Sequence, residues 1–128
     1  MAKIMVAEDD QTMVNLLTTL LTMDGFDVIA LDPDEDVTTA VERVGPDILL
    51  LDVHLSNQNG LEILDTVRRS TKGSKIQVVM ISGLNLKDEC LRHGADDFLM
   101  KPFMPDDLIK KLKKTPKRLN GSDKRPRI

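Results

Sequence analysis

Pro46-Asp47-Ile48-Leu49-Leu50-Leu51-Asp52 places four apolar residues in succession, entered through a proline and left through a carboxylate. A strand with one face in water alternates apolar and polar side chains, whereas a strand covered on both faces is apolar throughout. Ile48 to Leu51 is of the second kind, and Val78-Val79-Met80-Ile81 repeats it further along. Outward from this segment, five apolar runs recur: Ile4 to Ala7, Phe26 to Ala30, Ile48 to Leu51, Ile76 to Ile81 and Phe98 to Met100. Each is followed by a polar or amphipathic stretch, so the chain reads as strands of a parallel sheet with helices between them.

Met13, Leu16, Leu17, Leu20 and Leu21 share one face at helical spacing, and Gly25 supplies a stop. A second helix starts near Asp36, turns Val37, Ala40, Val41 and Val44 inward and ends at Gly45-Pro46. Leu61, Ile63, Leu64 and Val67 mark a third, and Leu86 to His93 a short fourth closed by Gly94. The fifth begins near Pro105, where proline suits the first turn, and carries Leu108, Ile109 and Leu112. The expected fold is α/β, a doubly wound (βα)₅ arrangement with strand order 2-1-3-4-5, as in flavodoxin-like proteins. Ligands of such sheets sit at the carboxyl ends of the strands, where strands 1, 3, 4 and 5 are neighbours.

The 128 residues suffice for one domain, and 41% hydrophobic with 30% charged residues is the balance of a globular protein instead of a disordered chain. No apolar run approaches the roughly 20 residues that span a bilayer, and no signal-peptide pattern follows Met1-Ala2-Lys3, so a cytoplasmic location is expected. The single Cys90 has no disulfide partner and reads as a buried residue beside a helix. Residues 1 to 109 hold 9 Lys/Arg against 20 Asp/Glu, and residues 110 to 128 hold 9 against 1, so an acidic body (−11) carries a basic end (+8). The division expected is a domain over 1–115 and a basic, disordered tail over 116–128. Lys- and Arg-rich tails can attract nucleic acid, acidic protein or anionic lipid, but solvated helix end is the plainer reading. No helix-turn-helix pattern follows the fifth helix, and only Phe26, Phe98 and Phe103 are aromatic, so nucleic-acid binding is not expected.

The strand ends carry the chemistry: Glu8-Asp9-Asp10 after the first, Asp52 after the third, Ser82 after the fourth and Lys101 after the fifth. Carboxylates brought together repel unless protons or a cation offset them. An all-oxygen cluster without His or Cys spacing suits Mg²⁺, which also bridges to phosphate oxygens. Phosphoryl transfer needs a positioned nucleophile, a metal, and donors or cations aimed at the transferred group. Asp52 can be the nucleophile, Ser82 a hydroxyl donor and Lys101 a point charge. Taken singly, Asp10 reads as a helix start, Ser82 as a cap, Lys101 as a surface lysine, His54 as an exposed loop side chain and His93 as a helix-end residue without chemistry.

Over residues 3 to about 112 the sequence resembles the receiver domains of response regulators, the phosphorylation switches of two-component signalling. The resemblance is carried by Ile4-Met5-Val6-Ala7-Glu8-Asp9-Asp10, by Pro46 to Asp52 with Gly60-Leu61-Glu62-Ile63-Leu64, by Val78-Val79-Met80-Ile81-Ser82-Gly83, and by Gly94-Ala95-Asp96-Asp97-Phe98-Leu99-Met100-Lys101-Pro102-Phe103. It implies that Asp52 accepts a phosphoryl group from a phosphohistidine. Mg²⁺ would be held by Asp9, Asp52, the backbone carbonyl of His54 and, largely through water, Glu8. It further implies that Ser82 and Lys101 engage the phosphoryl group, that Phe98 changes rotamer in the switch, and that the Lys101-Pro102 bond is cis. The partners implied are a sensor histidine kinase or phosphotransfer protein and a downstream protein target, with a homodimer also open. Such a domain catalyses only its own phosphorylation and dephosphorylation.

Three departures stand out. Ser56 occupies a position where the family often has proline, Gly83 follows Ser82 where alanine is common, and the stretch from Ser82 to Lys101 is about three residues short, which trims the fourth helix. Two competing readings are a Mg²⁺-dependent haloacid-dehalogenase-like phosphohydrolase and a flavodoxin-like cofactor binder. The first expects Asp-x-Asp, which His54 breaks; the second expects a phosphate loop where Glu8-Asp9-Asp10 would repel phosphate.

Overall fold

The structure, a computed structural model, describes residues 2–114. Five strands, β1 (Lys3–Ala7), β2 (Asp27–Ala30), β3 (Ile48–Asp52), β4 (Gln77–Ser82) and β5 (Asp97–Met100), alternate with helices α1 (Gln11–Met23), α2 (Val37–Val44), α3 (Gly60–Arg69), α4 (Lys87–Arg92) and α5 (Pro105–Lys114). All the pairings are parallel and the order is β2-β1-β3-β4-β5, as the sequence implies. A short 3₁₀ turn at Gly73–Lys75 leads into β4. The expected basic tail, 116–128, lies outside the described residues.

Every residue of β3 and β4 is buried, and successive residues feed two separate cores. Met5, Leu49, Leu51, Val78 and Met80 face a core closed by Ala40 and Val41 of α2, Ile63, Leu64 and Val67 of α3, and Cys90 of α4. Ile4, Val6, Ile48, Leu50, Val79 and Ile81 face the opposite core with Val14, Leu17 and Leu21 of α1 and Leu108 and Leu112 of α5. The unbroken apolar runs therefore follow from burial on both faces. Each large aliphatic side chain so buried contributes about 1.5–3 kcal/mol against the ordering entropy of the chain.

Helix α1 corrects the sequence reading in one respect. Its inward stripe is Val14, Leu17 and Leu21, while Leu16 is 50% exposed and Met13 and Leu20 lie at the rim. The helix is rotated toward Val14, which seats a compact β-branched residue against the sheet and leaves the longer Leu16 at the edge. Phe26 packs against the second core from just before β2 instead of within it.

Helix ends obey local chemistry. Asp10 accepts from Met13 N at 3.1 Å and Asn59 from Leu61 N at 2.9 Å, capping α1 and α3. Gly45 ends α2 at φ +62°, a left-handed conformation that side chains with a Cβ resist. Arg68 of α3 is an organiser that the sequence does not announce. Its guanidinium donates to the carbonyls of Gly94, Gly73 and Ile76 at 2.8–2.9 Å and pairs with buried Asp96 at 2.9 Å, while Asp96 also accepts from Val78 N. These bonds tie α3, the 3₁₀ turn and the entry to β5 into one unit.

Asp36 caps α2 through Thr39, whose N–H and hydroxyl donate at 2.9 and 2.7 Å and hold the Asp36 carboxyl below its ordinary value. Asp36→Ala is expected to lower stability in urea unfolding at neutral pH by about 1 kcal/mol. A carboxyl with a depressed folded-state pKa stabilises above its unfolded value and loses that contribution as pH falls through the folded one. The gap between the proteins should therefore close on acidification below the ordinary aspartate range; a gap unchanged there contradicts the ionised cap.

Candidate functional site

The site lies where β1, β3 and β5 end together. Because β1 and β4 flank β3, the residues following Ala7 and those ending β3 and β4 share one edge of the sheet. The register sets Asp52 beside Ile81 and Ser82 beside Met100, so Lys101 emerges one step past Ser82. Separated by long stretches of sequence, these polar residues meet because each ends or directly follows a strand of the sheet.

Lys101 is the centre of the cluster. Its ammonium lies 2.6 Å from Asp52 Oδ2 and 2.5 Å from Glu8 Oε1. The two carboxylates are almost wholly buried, Lys101 only partly. Burial works against the Lys101 charge, yet the hydrogen bonds and charges of Asp52 and Glu8 together outweigh it and hold its pKa above the ordinary lysine value. Glu8 is held above the usual carboxylate range: burial pushes it up, Lys101 pulls it down, and neighbouring Asp52 pushes it up again. The second oxygen of Glu8 turns back to accept from Asp9 N at 2.7 Å and Asp10 N at 3.3 Å, at the favourable N-terminal end of α1. Asp52 Oδ1 accepts from His54 N at 2.8 Å. Both acids are thus oriented before anything binds.

Asp9 belongs to a different arrangement. Its Oδ2 accepts from both the backbone N–H and the hydroxyl of Ser56, and among the described residues no three acidic or imidazole groups converge on one point. The structure therefore brings Glu8, Asp52 and Lys101 into contact and ties Asp9 to the loop after β3. The chemistry of the donors nevertheless suits a hard divalent cation: they are oxygens, and buried Glu8 Oε1 has charge beside it but no well-directed hydrogen bond. His54 exposes its side chain, as its loop position implies, leaving its backbone carbonyl as the atom of interest.

Ser82 is fully buried and its Oγ accepts from Leu84 N at 3.0 Å. Phe98 is 6% exposed and packs in the core beneath α3 and α4. The Lys101-Pro102 bond is cis, as the resemblance implies. Helix α4 is a short six-residue element, in keeping with the deficit between Ser82 and Lys101, and His93 at its end pairs with Asp65 of α3 at 2.7 Å. Burial pushes the Cys90 thiol up to about 11, with Glu89 adding to it, which leaves an inert packing residue.

Two residues shape the loop between β3 and α3 without any signal in the sequence strong enough to find their roles. Gln58 accepts from Val37 N at 3.1 Å and donates to Glu35 O at 2.8 Å, stitching this loop to the start of α2. Gly60 lies so close to β3 that a Cβ would stand 2.4 Å from Asp52 O and 2.6 Å from Val53 Cα. Beside Glu8 and Asp9 the surface forms a shallow hollow walled by Leu31, Pro33, Leu55 and Gln58.

The family model described as "Response regulator receiver domain" matches residues 4–113. The DNA-binding response regulator MtrA of Mycobacterium tuberculosis is 32% identical over 97% of this chain and 53% of its own length. The chain thus spans about half the length of the curated relatives it matches. Among solved structures, the receiver domain of Francisella response regulator 1452 superposes with a TM-score of 0.80 at 26% identity, covering 88% of this chain and 94% of that one. The chemotaxis response regulator CheY4 of Vibrio cholerae gives 0.82 at 25%, covering 91% and 99%. The phosphohydrolase alternative finds no support in these likenesses.

Replacing Gly60 with alanine should force the loop away from Asp52, at a cost of about 1–3 kcal/mol typical of overpacking against backbone. Thermal unfolding should report the loss, and the amide resonances of Val53 and His54 should move. Unchanged resonances would show that the loop tolerates a Cβ there.

Proposed function

The chain belongs to the response regulator receiver domain family, and from that membership we propose that Asp52 is its phosphoacceptor and that Glu8, Asp9, Lys101 and Ser82 form the surrounding machinery. The observation that carries this reading is the Lys101 ammonium held between buried Asp52 and Glu8 at the ends of β1, β3 and β5. A carboxylate so oriented and charge-compensated is prepared to attack phosphorus.

In the proposed transfer an Asp52 oxygen forms a bond to the phosphorus of a phosphohistidine. The phosphorus–nitrogen bond breaks and its electron pair returns to the donor imidazole. Membership of the receiver family supports a donor that carries its phosphoryl group on a protein, a sensor histidine kinase or phosphotransfer protein. Asp52, Asp9, the His54 carbonyl and, through water, Glu8 are the groups that would hold Mg²⁺, which supplies charge neutralisation at the phosphoryl oxygens when bound. Lys101 follows the negative charge: as Asp52 becomes an acyl phosphate, its ammonium finds the new oxygens as partners. Ser82 exchanges its bond to Leu84 N for donation to the phosphoryl group, and Phe98 adjusts its packing beside it. The altered surface is that of α4, β5 and α5, where Leu84, Leu91, Met100 and Met104 are each at least 40% exposed and can meet a downstream protein or a second copy.

On this reading residues 1–115 are the receiver and 116–128 a basic extension, and turnover is limited to the domain's own phosphorylation and dephosphorylation. No helix among the described residues is long and apolar enough to cross a membrane, and we place the protein in the cytoplasm with its phosphohistidine donor.

Incubation with acetyl phosphate and Mg²⁺ is expected to add one phosphoryl group by intact mass, and Asp52→Asn should remove the modification. No added mass in the unaltered protein, or the same mass in the variant, ends the proposal. Lys101→Ala should still accept some phosphate while losing phosphorylation-dependent partner binding or the spectral change that reports it, detected by amide NMR. A normal response in that variant would deny Lys101 its role.

A further inference from the structure

Loop residues 53–59 are held from several sides. His54 N bonds Asp52 Oδ1, His54 pairs with Asn59 in an antiparallel bridge, Leu55 packs against the core, and Gln58 is bonded to Glu35 and Val37. Ser56 therefore presents its donors from an anchored position. Both of them, the backbone N–H and the hydroxyl, reach across 47 positions of sequence to the same oxygen of Asp9. Hydrogen bonds to an ionised acceptor are the strong kind, and two on one oxygen fix the orientation of that carboxylate.

The carboxylates of the site are divided by this contact. Glu8 and Asp52 share Lys101, whereas Asp9 is drawn to the loop. We propose that Ser56 is a positioning residue that latches Asp9: with Oδ2 turned to two donors of the loop, a divalent cation that draws this carboxylate in competes with the Ser56 bonds and binds more weakly than the acidic cluster alone would allow. The inference rests on the assignment of Asp9 as a metal ligand. It concerns the affinity of the site for the cation and does not depend on whether Asp52 receives phosphate. The identity of residue 56 sets the strength of the latch: threonine keeps both donors, alanine only the backbone N–H, and proline neither.

The test is Mg²⁺ titration of the full chain after chelator treatment, read by calorimetry, for the unaltered protein, Ser56→Ala and Ser56→Thr, with far-UV circular dichroism confirming that each is folded. Loss of one charge-assisted bond that opposes binding should tighten Mg²⁺ affinity about three- to tenfold in Ser56→Ala, while Ser56→Thr stays near the unaltered value. In amide NMR the Ser56 N–H should shift as Mg²⁺ saturates, as its bond to Asp9 is given up. Equal affinity in Ser56→Ala, absence of binding in both proteins, or an unmoved Ser56 amide overturns the latch. Weaker binding also overturns it, since Ser56 would then present Asp9 to the ion instead of withholding it. Failure of phosphorylation at Asp52 is a separate result, read by mass, and leaves the Mg²⁺ comparison between the variants intact.

Discussion

A lysine ammonium wedged between two buried carboxylates is the constraint around which this site is organised. Glu8 and Asp52 are carried to one edge of the sheet by buried, largely apolar strands, so their charges are mostly withheld from solvent. Lys101 resolves the conflict, and the raised pKa of its ammonium reflects how strongly both acids retain it. The same wedge keeps the site responsive. Anything that changes the charge on Asp52 changes what Lys101 is bound to, and Lys101 directly follows β5, the strand that carries Phe98. A local electrostatic change can thereby bias packing at a distance from the acid.

That responsiveness requires rigid surroundings. Arg68 holds three carbonyls and Asp96 where α3 approaches β5, and its removal would leave a buried carboxylate without its cation and take a donor from each carbonyl. On the other side, close approach of Gly60 to the Asp52 and Val53 backbone lets α3 begin directly against β3. Between these fixed points the loop after Asp52 is held by Gln58 and by the Ser56 contact to Asp9. The short α4, by contrast, has no side-chain cap at its start, and several apolar side chains near it face solvent. Order is concentrated around the acids, and exposed apolar surface around the expected output face.

Much of this was legible in the order of residues. Consecutive apolar positions in Ile48 to Leu51 and Val78 to Ile81 can be satisfied only by cover on both faces, which implies a parallel sheet, helices on either side and a site at the strand ends. Asp36, Gly45 and Pro105 mark helix boundaries by chemistry that acts within a few residues. Periodicity was less reliable for α1, where several leucines compete for the inward stripe and packing against the sheet selects Val14, Leu17 and Leu21.

Strand runs, helix stops and the polar residues that emerge from the carboxyl edge can be read from the order of residues, because these depend on burial and on short-range backbone chemistry. Which polar group meets which is settled by folding: Lys101 with Glu8 and Asp52, Asp9 with Ser56, Arg68 with Asp96 and three carbonyls. Those partnerships join residues tens of positions apart, and their geometry exists only after the strands have packed in register. Composition and spacing assemble the donors and acceptors; three-dimensional closure chooses among them.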